Sequence, residues 1–405
     1  MSGHREASNF TNTDRRALTA VAVQFFVNGA LFASFIPRLP EIRDRVGISV
    51  AGVGLLMSIA ATTGLASSAL VGPAIARFGT RRVMLGSGAV VSLSLPVVGI
   101  ATNQGVLLVG LVGMLAFDVL VDVAMNMQGS WLSSRRHAPV MNRLHGLWSL
   151  GTAIGGFSAS RIAAAGVSLS VHLVVAGAVL LAVVGLLSRG LLRVDEHPSA
   201  EHQAPPARHS SRFRRLSPTL VLFGLIGLFS VAIESPAIDW AAFRFTDDFG
   251  ATAGFAALGY VAVTMGMTVG RLGGDWAIVR VGNRSLARAS IVLSGLGLLA
   301  ATVVSNRFVG LAGYGVAGLG IATMLPGLYD AAAKHPGRPG AGLGALTGGI
   351  RTASLVVPFL VGSLASTSLS VGSAIAVVTL PSVAGFFAVS IWLARNPGSK
   401  APQEP

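Results

Sequence analysis

Residues 106–128 read VLLVGLVGMLAFDVLVDVAMNMQ, an apolar stretch interrupted by two acidic residues. A helix of about 20 apolar residues is long enough to cross the hydrocarbon core of a membrane. On insertion scales a charge near the middle of such a helix costs about 2.5–3.5 kcal/mol, so intramembrane carboxylates are paired, protonated or in contact with water. The stretch therefore predicts a spanning helix on which Asp118 and Asp122 mark a proton or solute site.

Composition extends this prediction to the whole chain. Of its 405 residues 52% are hydrophobic and 11% are charged, and the mean hydropathy is +0.69. A soluble domain carries about 25% charged residues. Further runs of spanning length predict an all-α integral membrane protein with twelve transmembrane helices. The predicted spans are residues 17–37, 50–76, 82–101, 106–128, 141–164, 169–192, 217–240, 252–277, 285–304, 308–332, 342–366 and 370–394.

The basic residues predict how these helices are oriented. The formal net charge is +14, and 23 of the 30 Arg and Lys residues fall in the termini and alternate loops, against six in the opposite loops. Because Arg and Lys accumulate on the cytoplasmic side, both termini and the central loop are expected in the cytoplasm. The basic charge then reflects topology and attraction to anionic lipid, and we expect no nucleic-acid partner. The chain has no cysteine, which excludes disulfides and thiol chemistry.

A short repeat divides the chain into two halves. The loop after the second span reads RFGTR at residues 77–81, and the loop after the eighth reads RVGNR at 280–284, 203 residues later. Two pseudo-symmetric six-helix bundles are typical of transporters, with the solute site between the halves. The predicted organisation is a cytoplasmic tail at 1–16, a bundle at 17–193, a polar, proline-containing linker at 194–216, a bundle at 217–394 and a second tail at 395–405.

At these two loops the chain resembles the major facilitator superfamily, whose second and third helices are joined by a motif of the form G-x-L-A-D-R-x-G-R-R. The matching positions are Gly72, Arg77, Gly79, Arg81 and Arg82 in the first copy and Gly270, Asp275, Arg280, Gly282 and Arg284 in the second. The resemblance implies the fold of that family, with these residues at a cytoplasmic gate. Ala76 stands where the family has the acid, which implies a weaker or differently built latch in the first half.

The fourth span narrows the resemblance to the fucose-permease branch. Its segment Val121-Asp122-Val123-Ala124-Met125-Asn126 is similar to the acid-x-A-x-N segment of that branch. The resemblance implies a role in proton coupling for Asp122 and a position facing the solute for Asn126. The acid that the fucose permease carries in its first helix, just before an Ile-Pro pair, is absent before Ile36, so sugar specificity cannot be transferred.

Helical geometry places the polar residues of the fourth span on one face. Residues four apart are displaced by about 40° on a helix, so Asp118, Asp122 and Asn126 form a stripe that is expected to face the central cavity. Two carboxyls one turn apart repel each other when both are ionised, so at least one is expected to hold a proton. We predict that Asp122 is the proton site and that Asp118 either tunes it or pairs with an Arg or a hydroxyl on a neighbouring helix.

Two acids in the seventh span are expected to have different roles. Glu234 and Asp239 are five residues apart, about 140° on a helix, and so do not share a face. Glu234 is deep enough to reach the cavity and to take part in proton coupling. Asp239 is expected at the outer interface, where the neighbouring Trp240 would act as a lipid anchor.

One basic residue, Arg351, lies within a predicted span. It is ten residues into the eleventh span, or about 15 Å at 1.5 Å per residue, which is near the midplane. Two interpretations stay open. Arg351 either pairs with an acid, the candidates being Glu234, Asp122 and Asp118, or it binds an anionic group of the solute through two parallel hydrogen bonds.

The remaining candidates are uncharged or weakly basic. Gln24 and Asn28 share a face of the first span, and His145 and Ser149 share one on the fifth. All four are expected to contact solute, and interhelical hydrogen bonds or packing are the alternative. The sequence has no metal-ligand spacing, Walker loop or hydrolase pattern, which predicts a protein that is not an enzyme and that uses no cofactor beyond protons as the coupling ion.

These observations predict a secondary active transporter that moves a small solute by alternating access. We expect a monomer in a bacterial cytoplasmic membrane, with the solute and the lipid bilayer as partners. Uptake of a sugar-like or other polar metabolite is the first interpretation. Proton-driven efflux of a drug or metabolite is the second, favoured by Met57, Met114, Met125 and Met265. A receptor that transports nothing is a remote third.

Overall fold

The computed structural model of the protein describes residues 10–138, 140–193, 218–324, 332 and 340–395. Within these ranges the chain is helical apart from its connections, and no strand is present. The predicted all-α class is therefore confirmed. The predicted linker at 194–216 and most of the two predicted tails lie outside the described residues.

Thirteen helices occur in the described part of the chain, and two of them are short. They are α1 Asn12–Phe35, α2 Leu39–Val46, α3 Val50–Ile100, α4 Gln104–Arg136, α5 Met141–Ala164, α6 Leu169–Leu187, α7 Pro218–Asp239, α8 Ala241–Phe243, α9 Ala253–Val281, α10 Asn283–Val303, α11 Arg307–Ile321, α12 Ala341–Ala365 and α13 Val371–Arg395. Each predicted span falls on one of these helices, and α3 holds two of them. Nine helices in the described ranges meet the length and apolarity needed to cross a membrane.

The two copies of the repeated loop share an unusual backbone conformation. Gly79, inside the 51-residue α3, has φ 78° and ψ 157°, and Gly282, between α9 and α10, has φ 79° and ψ 154°. This region of backbone space is open almost only to glycine. A glycine therefore breaks the helix in the same way at both positions, and the repeat predicted from five-residue matches is present in the backbone.

Substituting either glycine should destabilise the fold. An alanine at Gly79 or Gly282 must hold a strained conformation, which costs about 1–3 kcal/mol. We expect Gly79→Ala and Gly282→Ala each to lower the melting temperature of the detergent-purified protein. Gly86→Ala is the matched control, because Gly86 lies within α3 and a Cβ there would meet nothing within 4 Å. Equal melting temperatures for all three variants would show that the two loops carry no backbone constraint.

The chain separates into two compact units. The first comprises Met1–Phe35, Ala60–Ala159 and Gly166–His197, and the second comprises Ile36–Ile59, Ser160–Ala165 and Pro198–Pro405. The two short segments of the second unit come from the half of the chain before the predicted linker. Their position in the chain does not predict that they belong to the second unit, because the units are defined by packing contacts. The division into bundles at the linker stays a prediction.

Contacts of the segment Ile36–Ile59 explain why it belongs to the second unit. The backbone N–H of Phe359 donates to Ser58 Oγ at 3.2 Å, and the N–H of Ala51 donates to Ser366 Oγ at 2.9 Å. Gly54 packs so closely on α12 that a Cβ there would collide with the carbonyl oxygen of Pro358. Small residues allow this kind of close helix approach within a membrane.

The region after α7 differs from the sequence prediction in one respect. Trp240 is fully buried and packs on Phe243, with ring centroids 5.1 Å apart. It is therefore not the lipid-facing anchor that its position at the end of a span predicts. The chain turns there through α8 and a π-helical segment, Arg244–Asp248, and this turn packs the indole inside the unit.

Candidate functional site

A hydrogen-bonded chain in the first unit joins three helices. Trp148 Nε1 on α5 donates to Asn28 Oδ1 on α1 at 2.8 Å. Asn28 Nδ2 in turn donates to Asp118 Oδ1 on α4 at 2.6 Å. Asn28 is buried and uses both ends of its amide, so Asp118 is linked through it to two other helices. We call Trp148, Asn28 and Asp118 the three-helix network.

Close packing of α1 on α5 makes this network possible. Added Cβ atoms at Gly29 and Gly151 would collide with the carbonyl oxygens of Trp148 and Phe26, respectively. The backbones can approach this closely only because both positions lack a side chain. Asn28 directly precedes Gly29, so the same crossing brings its amide within reach of the Trp148 indole. The Asn28-Gly29 pair thus has a packing role and a polar role.

Asp122 has a different environment from Asp118. Asn126 Nδ2 donates to Asp122 Oδ1 at 3.0 Å and to its carbonyl oxygen at 2.8 Å, one turn along α4. The Asp122 side chain is exposed, whereas Asp118 is half-buried. The two acids of the stripe are therefore distinct: Asp118 is tied to neighbouring helices, and Asp122 is accessible and oriented by its own helix. The neighbour of Asp118 is an amide rather than the predicted Arg or hydroxyl.

The other predicted solute-contact residues of the first unit lie close to α1 and α5. Gln24 is buried, and its Oε1 has no hydrogen-bond partner within the described ranges. His145 is exposed and meets the Phe25 ring edge to face, with centroids 5.2 Å apart. Ser149 is buried, and its hydroxyl donates to the His145 carbonyl of the same helix at 3.1 Å. Gln24 thus keeps an unused hydrogen-bond acceptor, and the His145 side chain is exposed. Ser149 forms its hydrogen bond within α5.

In the first copy of the loop motif, where the acid is missing, an arginine is bound by a backbone carbonyl. Arg81 Nε and Nη2 donate to the Ser188 carbonyl at 3.2 and 2.8 Å, at the C-terminal end of α6, where a cation is favoured. Gln128 Nε2 donates to Thr80 Oγ1 at 3.1 Å and is fully buried. Sequence reasoning missed Gln128, although an amide at the end of an apolar run signals an interhelical bond.

The other motif residues of the first copy are more exposed. Arg77 is exposed and lies over the Phe78 ring, 5.3 Å from its centroid. Gly72 is exposed, and an added Cβ would meet nothing within 4 Å. The contacts of this copy therefore centre on Arg81 rather than on Arg77.

The second copy of the motif lies along α9 and the start of α10. Arg280 is exposed and stacks on Trp276, 4.7 Å from the ring centroid. Gly270 is buried, and a Cβ there would come within 2.8 Å of the Leu319 carbonyl oxygen. The side chains of Asp275 and Arg284 lie outside the described part of the structure, so their predicted gate pairing stays a prediction.

The two acids of α7 have different hydrogen-bond and ion-pair neighbours. Glu234 Oε1 lies 3.9 Å from Arg271 Nη2 on α9, a long ion pair. Asp239 Oδ2 accepts from Ser235 Oγ at 2.7 Å within the same helix. Glu234 thus connects α7 to α9, and Asp239 is held by its own helix.

Arg351 on α12 is half-buried. It makes no hydrogen bond or ion pair with any residue in the described ranges. Its three candidate partners have other neighbours: Glu234 lies beside Arg271, Asp118 accepts from Asn28, and Asp122 accepts from Asn126. None of these three acids is therefore paired with Arg351 in the described part of the structure.

A further charged cluster, not predicted from the sequence, lies in the segment Ile36–Ile59 of the second unit. Arg38 is 2% exposed, and its Nε and Nη2 donate to the two carboxylate oxygens of Glu41, each at 2.6 Å. Arg43 pairs with Asp44 at 2.8 Å and with Asp247. In the sequence these arginines count only as loop charges, because their partners are set by tertiary packing. No group of three metal-ligating side chains occurs in the described part of the chain.

The fold and the intramembrane charges define a multi-pass membrane transporter. The sequence profile of the Major Facilitator Superfamily matches residues 21–243. The chain belongs to this superfamily. Membership implies a small-molecule substrate and confirms the resemblance seen in the repeated loops.

Relatives and solved structures agree with this assignment. The chain is 25% identical over 315 residues to an uncharacterised MFS-type transporter of Yersinia pestis, covering 78% of this chain and 80% of that one. It is 28% identical over 327 residues to the membrane protein MosC of Rhizobium meliloti, covering 80% and 77%.

Two solved structures have a similar fold. A variant of the nucleoside transporter NupG superposes with a TM-score of 0.73 at 13% identity, covering 94% of this chain and 99% of that one. A bacterial homolog of the human lysosomal transporter Spinster, in an inward-facing and occupied conformation, gives 0.65 at 14%, covering 95% and 98%. At these identities the likeness shows the fold alone.

Proposed function

We propose that this protein is a proton-coupled secondary transporter that carries a small polar solute by alternating access. The three-helix network is the observation that carries the proposal. It links an intramembrane carboxylate, Asp118, through Asn28 to Trp148 on a third helix. A change of charge at Asp118 on α4 therefore acts on the side chains of α1 and α5 that are linked to it by hydrogen bonds. Intramembrane acids in such settings mark proton relays in pumps and transporters.

Asp122 and Asp118 have different roles in proton coupling. Asp122 is exposed and takes and releases the proton, while Asn126 fixes the direction of its carboxylate. When Asp118 is ionised, repulsion between the two carboxylates is relieved by protonation of Asp122. A proton shifts the conformational equilibrium only if the two states bind it with different affinity. The Asn28 hydrogen bond supplies that difference.

The cytoplasmic gate is proposed at the two copies of the loop motif. In the first copy Arg81 holds the end of α6 through the Ser188 carbonyl. In the second unit the segment Ile36–Ile59 is fixed by the pair of Arg43 and Asp247 and by the hydrogen bond between Phe359 N–H and Ser58. These contacts lie within a unit and are present together, so they stabilise each unit. The contact that opens and closes in an alternating-access cycle is proposed at Asp275 with a nearby Arg.

Uptake of a polar metabolite is the direction favoured here. An amphipathic drug would require a cavity lined by Met and Phe. Of the four methionines that favour efflux, Met114 and Met125 are 0% and 2% exposed and belong to the core of the first unit. Met57 is half-buried and Met265 is 46% exposed, so these two keep efflux as the second candidate. We place the protein in a bacterial cytoplasmic membrane as a monomer. The distribution of Arg and Lys supports the orientation with both termini in the cytoplasm. Protons are its only coupling ion, and it catalyses no chemical reaction.

Reconstitution tests this proposal. Purified protein is incorporated into liposomes with an internal pH-sensitive dye, and a panel of sugars, nucleosides, organic acids and amino acids is added under an imposed pH gradient. We expect at least one solute to dissipate the gradient faster than in protein-free liposomes, because solute and proton move together. Solute flux with the same rate and extent in the presence and absence of the gradient would contradict proton coupling.

A further inference from the structure

Arg351 has no counterion among the residues that the structure describes. It lies ten residues after the start of α12, or about 15 Å along the helix, near the midplane of the bilayer. Within the described ranges it makes no hydrogen bond or ion pair. A lone charge at that depth is expensive unless it faces water or an anion. As far as the structure describes its surroundings, the guanidinium is therefore available to a bound anion.

The intramembrane acids that could neutralise Arg351 already have neighbours. Glu234 lies 3.9 Å from Arg271, and Asp239 accepts from Ser235 at 2.7 Å. Asp118 accepts from Asn28 at 2.6 Å. Asp122 accepts from Asn126 at 3.0 Å. No acid among the described residues is thus paired with Arg351, which leaves its guanidinium open to an anion from solution.

The helix surface around Arg351 is open and polar. Gly344 and Gly348 are exposed, and a Cβ at either would meet nothing within 4 Å. Thr347 and Thr352 are exposed beside them. At about 100° per residue these positions lie within about 80° of Gly344, on one side of α12.

The other side of α12 is packed. Leu346 is fully buried, and a Cβ at Gly349 would collide with the Gly224 carbonyl oxygen of α7. The helix is thus anchored by one face and presents a guanidinium, two hydroxyls and free space on the other. We call the residues Gly344, Thr347, Gly348, Arg351 and Thr352 the open face of α12.

We propose that the open face of α12 binds a carboxylate, so that the transported solute is an organic anion. A guanidinium offers two parallel N–H groups that match the two oxygens of a carboxylate. The glycines leave room for the carboxylate beside the helix, and the Thr347 hydroxyl can donate to one of its remaining lone pairs. The Thr352 hydroxyl donates to the Gly348 carbonyl at 2.9 Å. This inference rests on the proposed transport function and specifies the class of solute.

A single cation selects among anions. A phosphate monoester carries close to two negative charges and is normally held by more than one cation or by a helix N-terminus. Arg351 is the one cation on the open face as described, and the face lies in the middle of a helix. A monocarboxylate therefore fits its charge better than a phosphate does.

Thermal stability of the purified protein with matched ligand pairs tests the inference. The probes are small carboxylic acids, each paired with its neutral amide, measured on wild type, Arg351→Gln and Arg351→Lys. We expect at least one acid, and not its amide, to raise the melting temperature of wild type. The loss of charge-assisted hydrogen bonds in Arg351→Gln should weaken the apparent affinity by about 10- to 100-fold, with Arg351→Lys in between.

The controls separate this inference from the proposed function. Arg307→Gln removes an equal charge from the exposed start of α11 and should keep the response of wild type. Size-exclusion profiles and unliganded melting temperatures show whether each variant is folded. The inference is overturned if no acid stabilises wild type, if the amides act equally, or if Arg351→Gln keeps the response. Acid binding without proton-linked flux in liposomes would instead contradict the proposed function alone.

Discussion

Replacing Asp118 with asparagine is expected to reduce accumulation of solute against its gradient strongly while exchange of solute across the membrane continues. An asparagine can still accept the hydrogen bond from Asn28 through its Oδ1, so the three-helix network keeps its geometry and loses its charge. Coupling free energies are typically about 1–3 kcal/mol, so the accumulation ratio should fall by about 5- to 150-fold. The measurement is net uptake under a pH gradient beside counterflow without one, in the same liposomes.

Two further variants identify which part of the network matters. Trp148→Phe removes the donor to Asn28 Oδ1 and keeps an aromatic ring, and we expect a smaller loss of accumulation. Asp118→Ala removes both the charge and the acceptor and should impair exchange as well. Undiminished gradient-driven accumulation in Asp118→Asn would mean that the charge of Asp118 has no part in coupling.

Replacing Glu41 with glutamine is expected to cause the largest loss of stability. Arg38 is 2% exposed, and two of its nitrogens donate to the Glu41 carboxylate. Removing one partner of a buried pair leaves the other charge uncompensated, which costs about 3–5 kcal/mol. Because the Glu41 side chain is 30% exposed, solvent screening lowers this cost, and we expect about 2–3 kcal/mol. Unfolding of the purified protein, followed by far-UV circular dichroism, measures the difference.

A matched control lies three residues along the same helix. Asp44 also accepts from an arginine, Arg43, but its side chain is 62% exposed. Asp44→Asn should therefore change stability by about 0.5 kcal/mol or less. Should both variants lose the same free energy, burial of Arg38 would not be the reason that Glu41 stabilises the protein.

The helices and the repeat could be predicted from the sequence because they depend on local signals. Apolar runs set the helix positions, and Gly79 and Gly282 mark a backbone conformation that few other residues adopt. The stripe of Asp118, Asp122 and Asn126 likewise follows from helical spacing. The sequence assigns different roles to the two acids, because only Asp122 precedes the A-x-N segment, and that assignment stays a prediction.

Partners set by packing between distant helices could not be predicted. The bond between Asn28 and Asp118 joins residues 90 positions apart, and the pair of Arg43 and Asp247 joins residues 204 apart. Trp240 was wrongly expected at the lipid interface, since one residue type serves both as an anchor and as core packing. Arg351 was left between two interpretations because spacing cannot show whether an acid comes close to it.

The most direct test of the central claim compares wild type with Asp122→Asn in liposomes under an imposed pH gradient. The solute is one that moves protons with wild type, and both the internal pH and the solute content are recorded. Asparagine cannot take up the proton but preserves the size of the side chain. We predict that solute-dependent proton movement is lost in Asp122→Asn, whereas downhill solute movement persists. Equal proton movement in the two proteins would contradict the assignment of Asp122 as the proton carrier.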